Sequence, residues 1–124
     1  MKQLFFILLT TTLLTSCYNA ERNCADFKTG KFRSEIEIDG QKKVTEFTRT
    51  EAYEIGTYDG KVDTSSVRWI NDCEYVLQTV NPKNSLELKG VHMKILTTKQ
   101  NSYTFEFSLV GDTHKQKGTV TKLD

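Results

Sequence analysis

The stretch Phe32-Arg33-Ser34-Glu35-Ile36-Glu37-Ile38-Asp39-Gly40 decides the fold. Phe32, Ser34, Ile36 and Ile38 alternate with Arg33, Glu35 and Glu37, the period-two pattern of a strand with one apolar and one charged face. Asp39-Gly40 then supplies the positive-φ pair that a two-residue hairpin turn needs. The same grammar continues down the chain. A second strand runs from Lys42 to Thr50 with Val44 and Phe47, and a third from Ala52 to Tyr58 with Tyr53 and Ile55 on one face. Asp59-Gly60 turns into Val62 to Ile70, where Val67 and Trp69 share a face. Asn71-Asp72 leads to the alternating set Cys73, Tyr75, Leu77 and Thr79.

Pro82, the single proline, lies in the loop Asn81-Pro82-Lys83-Asn84-Ser85. Beyond it, Leu86 to Thr98 reads as one long strand whose parity slips at Lys89-Gly90, the mark of a bulge. Tyr103, Phe105, Phe107 and Leu109 form an aromatic stripe, and Gly111-Asp112 turns it into a last strand, Thr113 to Leu123. Eight strands joined mostly by tight turns predict an all-β, antiparallel up-and-down meander that closes, or nearly closes, into a barrel. Closure also removes exposed strand edges.

The N-terminus obeys a different grammar. Met1-Lys2 gives a positive start, and Leu4 to Leu14 is mainly Leu, Phe, Ile and Thr. That apolar run fits a signal h-region of roughly 7–15 residues and is too short to span a bilayer as a helix. It ends in Leu14-Thr15-Ser16-Cys17, which resembles the lipobox of bacterial lipoproteins. The resemblance implies removal of residues 1–16, acylation of Cys17, and a membrane anchor followed by a short linker over residues 17–23. Residues 24–124 then form a single domain held close to the bilayer. Tyr18 carries no negative charge, so the acidic inner-membrane retention signal is missing. The expected site is therefore the periplasmic face of the outer membrane.

Cysteine count and charge narrow the function. With Cys17 assigned to lipid, Cys24 and Cys73 remain as an even pair in a compartment that permits disulfides. A disulfide is the expectation, closing a loop of about 50 residues; a metal pair and two free thiols are the alternatives. Metal is disfavoured because neither His92 nor His114 stands at ligand spacing from a cysteine. The chain carries 17 Lys+Arg and 16 Asp+Glu, and no long run of like charge marks a nucleic-acid partner.

Enzyme signatures are missing: no phosphate-cradling glycine loop, no His-Glu-x-x-His and no Gly-x-Ser-x-Gly. Glu35 and Glu37 share a strand face, but alternation with Ile36 and Ile38 turns them to water, where neither gains the raised pKa of a general acid. No catalytic residue, cofactor or metal is expected.

Arg49 has the parity of Phe47 and Tyr53, so an inward Phe47 brings Arg49 inward too. A buried guanidinium needs an anion, either a neighbouring acid such as Glu51 or the carboxylate or phosphate of a ligand. Candidate lining residues for a lumenal ligand are Phe47, Arg49, Tyr53, Trp69, Met93, Phe105 and Phe107. The same aromatics could instead fill the lumen.

Phe27-Lys28-Thr29-Gly30-Lys31-Phe32 is similar to the Gly-x-aromatic opening of the first strand in lipocalins and related calycins. That resemblance implies a barrel into which the glycine lets the chain bend and whose base the aromatic plugs. The wider segment Cys24 to Phe32 resembles the Cys-x-x-Phe-Lys-Thr-Gly-x-Phe start of a group of small envelope lipoproteins.

The expected function is that of a non-enzymatic binding or interaction module, bound to the bilayer through Cys17 and facing an envelope protein. The alternatives are a carrier of a small apolar ligand and an inhibitor of an envelope-attacking hydrolase. A carrier needs a lumenal cavity of roughly 300 Å³ or more. An interaction module needs an exposed apolar patch away from the anchor.

Overall fold

A computed structural model describes residues 22–58 and 60–124. The signal segment, Cys17 and Asp59 lie outside the described residues. A 3-10 turn, Cys24–Phe27, precedes eight strands: β1 Gly30–Ile38, β2 Gln41–Arg49, β3 Tyr53–Tyr58, β4 Lys61–Asn71, β5 Glu74–Thr79, β6 Val91–Thr98, β7 Ser102–Leu109 and β8 Gln116–Lys122. Each pairs antiparallel with the next, and β8 returns to β1 through Phe32 to Ile36 against Lys122 to Gly118, so the barrel is closed.

Register decides which side chains enter the lumen. Directly paired residues share a face, so Phe32 against Phe47, Arg49 against Glu54, Trp69 against Tyr75, and Ile95 against Phe105 all point inward. The inward row of β1 is the one that its alternation predicts. Two glycines are demanded by close approach. Gly30 has φ +136, and a Cβ there would lie 2.9 Å from Asp124 Oδ1; a Cβ on Gly118 would meet the Phe105 ring at 2.7 Å and Glu35 O at 2.8 Å. Phe105 can therefore lie flat across β8 only because position 118 has no side chain.

The slip at Lys89-Gly90 is not a bulge. Ser85–Leu88 forms one turn of helix, α1, and β6 starts only at Val91. Asn84 Oδ1 accepts from the Glu87 N–H at 2.9 Å, and Glu87 Oε2 accepts from the Lys83 N–H at 2.6 Å. Asn84-x-x-Glu87 thus caps this turn in the manner of a capping box. The register breaks lie instead at Trp69/Asn71 and Ile95/Thr97.

The two ends of the barrel differ. At one end the 3-10 turn crosses the opening, fastened by the Cys24–Cys73 disulfide, Cα–Cα 5.3 Å, to the β4–β5 turn. Phe27 is buried beneath it with Phe32, Ile95 and Tyr103. The first described residues join this end, where Arg22 Nη1 donates to Ile95 O at 3.0 Å and Asn23 N to Thr98 Oγ1 at 2.9 Å. The C-terminal segment returns there too, Leu123 N donating to Lys31 O. The other end carries Asp39-Gly40, Gly60 and the loops 80–90 and 110–115, and no element crosses it among the described residues.

Replacing Cys24 and Cys73 by alanine releases a cross-link that closes a separation of 49 residues. Thermal and urea unfolding of the double variant should show about 3–4 kcal/mol less stability, with the far-UV β signature kept at low temperature.

Candidate functional site

Arg49 closes the floor of the lumen. It is the last residue of β2, its side chain is directed inward by strand parity, and it is only 1% exposed. Its guanidinium is held on all sides. Nε donates to Glu54 Oε2 at 3.1 Å, Nη1 to Phe27 O at 2.6 Å, and Nη2 to the Tyr75 and Tyr103 hydroxyls at 2.6 and 3.0 Å. Aromatic faces surround the same plane, with Cζ 4.6 Å from the Tyr75 ring centroid, 5.0 Å from Phe32, 5.3 Å from Phe47 and 5.9 Å from Trp69. Such contacts are attractive because the ring faces carry negative quadrupole density.

The anion that Arg49 requires is Glu54, not Glu51. Glu51 sits in the exposed β2–β3 connection, whereas Glu54 stands directly opposite Arg49 in the ladder. The same register corrects a second expectation. Residues 50–52 connect the strands, Thr50 folding back to accept from and donate to Tyr53. The parity counted straight through from Phe47 therefore inverts at β3. Glu54 and Gly56 face inward, while Tyr53 and Ile55 stand on the outer surface, 49% and 43% exposed. Tyr53 does not line the lumen.

Above the Arg49 floor lies a cavity of about 190 Å³. Phe47, Met93, Phe105 and Phe107, four of the expected lining residues, form its apolar wall together with Leu77 and Val120. Trp69 is placed lower, its ring 4.5 Å from that of Tyr75 and beside Arg49, inside the packed half of the barrel. The polar groups on the cavity are Ser34, Thr45, Glu54 and the two tyrosines that bind Arg49. Glu54 was missed in the sequence because parity counted straight through residues 50–52 put Tyr53 inside and Glu54 outside. The legible clue was Arg49 itself, whose inward parity required an acid nearby.

Protonation follows from the same packing. Burial works against the charge on Arg49, but Tyr75, Tyr103 and Glu54 outweigh it and keep the guanidinium protonated at every accessible pH. Burial pushes the Tyr75 phenol well above its ordinary value, so it stays neutral. Burial also raises the Glu54 carboxyl, with Arg49 pulling the other way. On the outer face, the hydrogen bond from His92 holds the Glu74 carboxyl below the usual range. Glu35 and Glu37 point outward, and Glu35 pairs with Lys42 at 3.1 Å. His114 is exposed.

Comparison with family models, with curated protein sequences and with solved structures gives no match for this chain.

The raised carboxyl fixes a sign. Folding makes Glu54 hold its proton more tightly, so its contribution to stability falls as pH rises from 4.5 through the folded value. Glu74 acts oppositely, adding stability that is present above 4.5 and lost as pH falls through its lowered value. Subtracting the unfolding free energy of Glu54→Gln from that of the native chain isolates the first term. The difference should decrease with rising pH; an increase would mean that the Arg49 ion pair outweighs burial at Glu54.

Proposed function

We propose that this chain is a non-enzymatic, lipid-anchored envelope protein whose barrel presents its open rim to a partner protein. The observation that carries this reading is the opposed placement of the two ends. The chain enters the barrel at the plugged end, beside the Cys24–Cys73 disulfide, and the open loops lie at the far end. An acyl anchor at Cys17 precedes Cys24 by so few residues, at most about 3.6 Å each, that the plugged end would face the bilayer. The rim would then point into the periplasm, from the inner leaflet of the outer membrane.

The rim carries exposed apolar side chains. Leu86 and Leu88 of α1 are 62% and 58% exposed, and Val80 and Val110 are exposed beside them. These residues belong to one assembly: Gln78 Nε2 donates to Leu88 O at 3.1 Å, and Val110 N donates to Gly90 O at 2.8 Å. Apolar side chains gathered in this way on the surface of a small domain favour a protein contact. The cavity of about 190 Å³ is smaller than a carrier of a drug-sized apolar ligand requires, which supports the interaction reading over the carrier. An inhibitory role toward a hydrolase would be one case of such a contact, and no separate feature favours it.

Leu86→Asp and Leu88→Asp together should abolish capture of a discrete partner when the tagged, acylated chain is pulled from envelope extract and read by native mass spectrometry. Both side chains are solvated, so stability should change by no more than about 0.5 kcal/mol. Undiminished capture by the double variant would contradict the proposal, as would an unacylated Cys17 in the mature protein.

A further inference from the structure

The lumenal cavity is distinct from the rim, and its chemistry is unusual for a barrel floor built on an arginine. Arg49 directs four of its five N–H groups to Phe27 O, Glu54, Tyr75 and Tyr103, is covered by aromatic rings, and does not itself line the cavity. No positive charge is offered to the cavity. The group that is offered is the carboxylate of Glu54. Its Oε2 accepts from Arg49, while Oε1 has no hydrogen-bond partner among the described residues. Since no fully buried side-chain oxygen lacks a partner there, Oε1 must keep some accessible surface, and Glu54 lines the cavity.

We infer that this cavity binds a small uncharged molecule bearing a hydroxyl-type donor on a short apolar body. The donor bonds Glu54 Oε1, and the body lies against Phe47, Met93, Phe105 and Phe107. Three considerations select that class. An anion would meet the Glu54 carboxylate with no free cation to offset it, which excludes the carboxylate or phosphate ligand expected from an inward Arg49 alone. A cation would place a second positive charge beside Arg49 in a floor already neutral through the Arg49–Glu54 pair, with its own desolvation uncompensated. A neutral donor avoids both costs and supplies the hydrogen bond that the carboxylate lacks.

Size sets the rest. About 190 Å³ is the room of roughly six liquid waters at about 30 Å³ each, enough for about six to eight non-hydrogen atoms. This inference does not rest on the rim having a partner, and its test needs none.

The test uses 1-hexanol, hexanoate and hexylamine as probes on the full chain in detergent, with free probe concentrations set by dialysis. Met93 lines the cavity, and Met1 is the only other candidate among the chain's 2 methionines, so a ¹³C-methyl label on methionine reports the site directly. 1-Hexanol should shift the Met93 methyl saturably, with hexanoate and hexylamine at least tenfold weaker. Glu54→Gln should weaken 1-hexanol about tenfold, the usual gap between charged and neutral acceptors. Phe107→Trp, which fills the cavity from its wall, should abolish the shift while circular dichroism still reports the barrel. The inference is overturned if 1-hexanol does not bind, if the three probes bind alike, or if binding survives Phe107→Trp.

Discussion

The guanidinium of Arg49, held by four hydrogen bonds and roofed by aromatic rings, is the constraint around which the rest of this barrel is arranged. A buried cation is tolerable only where each of its nitrogens finds an acceptor and its charge finds an anion. Arg49 draws those partners from five places: the carbonyl of Phe27 in the plug, Glu54 on β3, Tyr75 on β5, Tyr103 on β7, and the ring of Phe32 on β1. β3, β5 and β7, which do not pair with one another, are thereby tied to one group. The register of each is fixed as well, since a slip of one residue would turn its partner to the outside.

That constraint also explains why the ends differ. The Phe27 carbonyl holds the 3-10 turn from within and the Cys24–Cys73 disulfide ties it to the β4–β5 turn, so the plug is fastened twice at the end where the chain enters. Below Phe47 the lumen is packed with Phe27, Phe32, Trp69, Tyr75, Ile95 and Tyr103, and nothing there leaves room for a ligand. Above it, the inward residues become Ser34, Thr45, Leu77 and Met93, smaller or more polar, and the cavity opens.

Much of this was legible in the chain. Alternation in β1, the Asp39-Gly40 turn and the aromatic stripe of β7 were enough to predict eight antiparallel strands and a closed or nearly closed meander, and the even pair Cys24 and Cys73 pointed to the bond that forms. The inward direction of Arg49 followed from Phe47 two residues earlier. What failed was parity carried across a connection. Thr50, Glu51 and Ala52 do not continue the pleat, so counting through them put Tyr53 inside and overlooked Glu54. The α1 turn failed for a related reason: Leu86 and Leu88 have strand spacing, and only the Asn84-x-x-Glu87 cap distinguishes a helical turn from the start of β6. Alternation is a local signal, and it loses its phase wherever the backbone leaves the ladder.

The most direct measurement is ¹⁵N NMR of the arginine side chains. A guanidinium anchored to four acceptors cannot rotate freely or meet solvent, so Arg49 should show two resolved Nη signals and an Nε–H protected from exchange, while the exposed Arg33 and Arg68 exchange rapidly. A single averaged Nη line for Arg49, with Nε–H exchange as fast as theirs, would contradict the account.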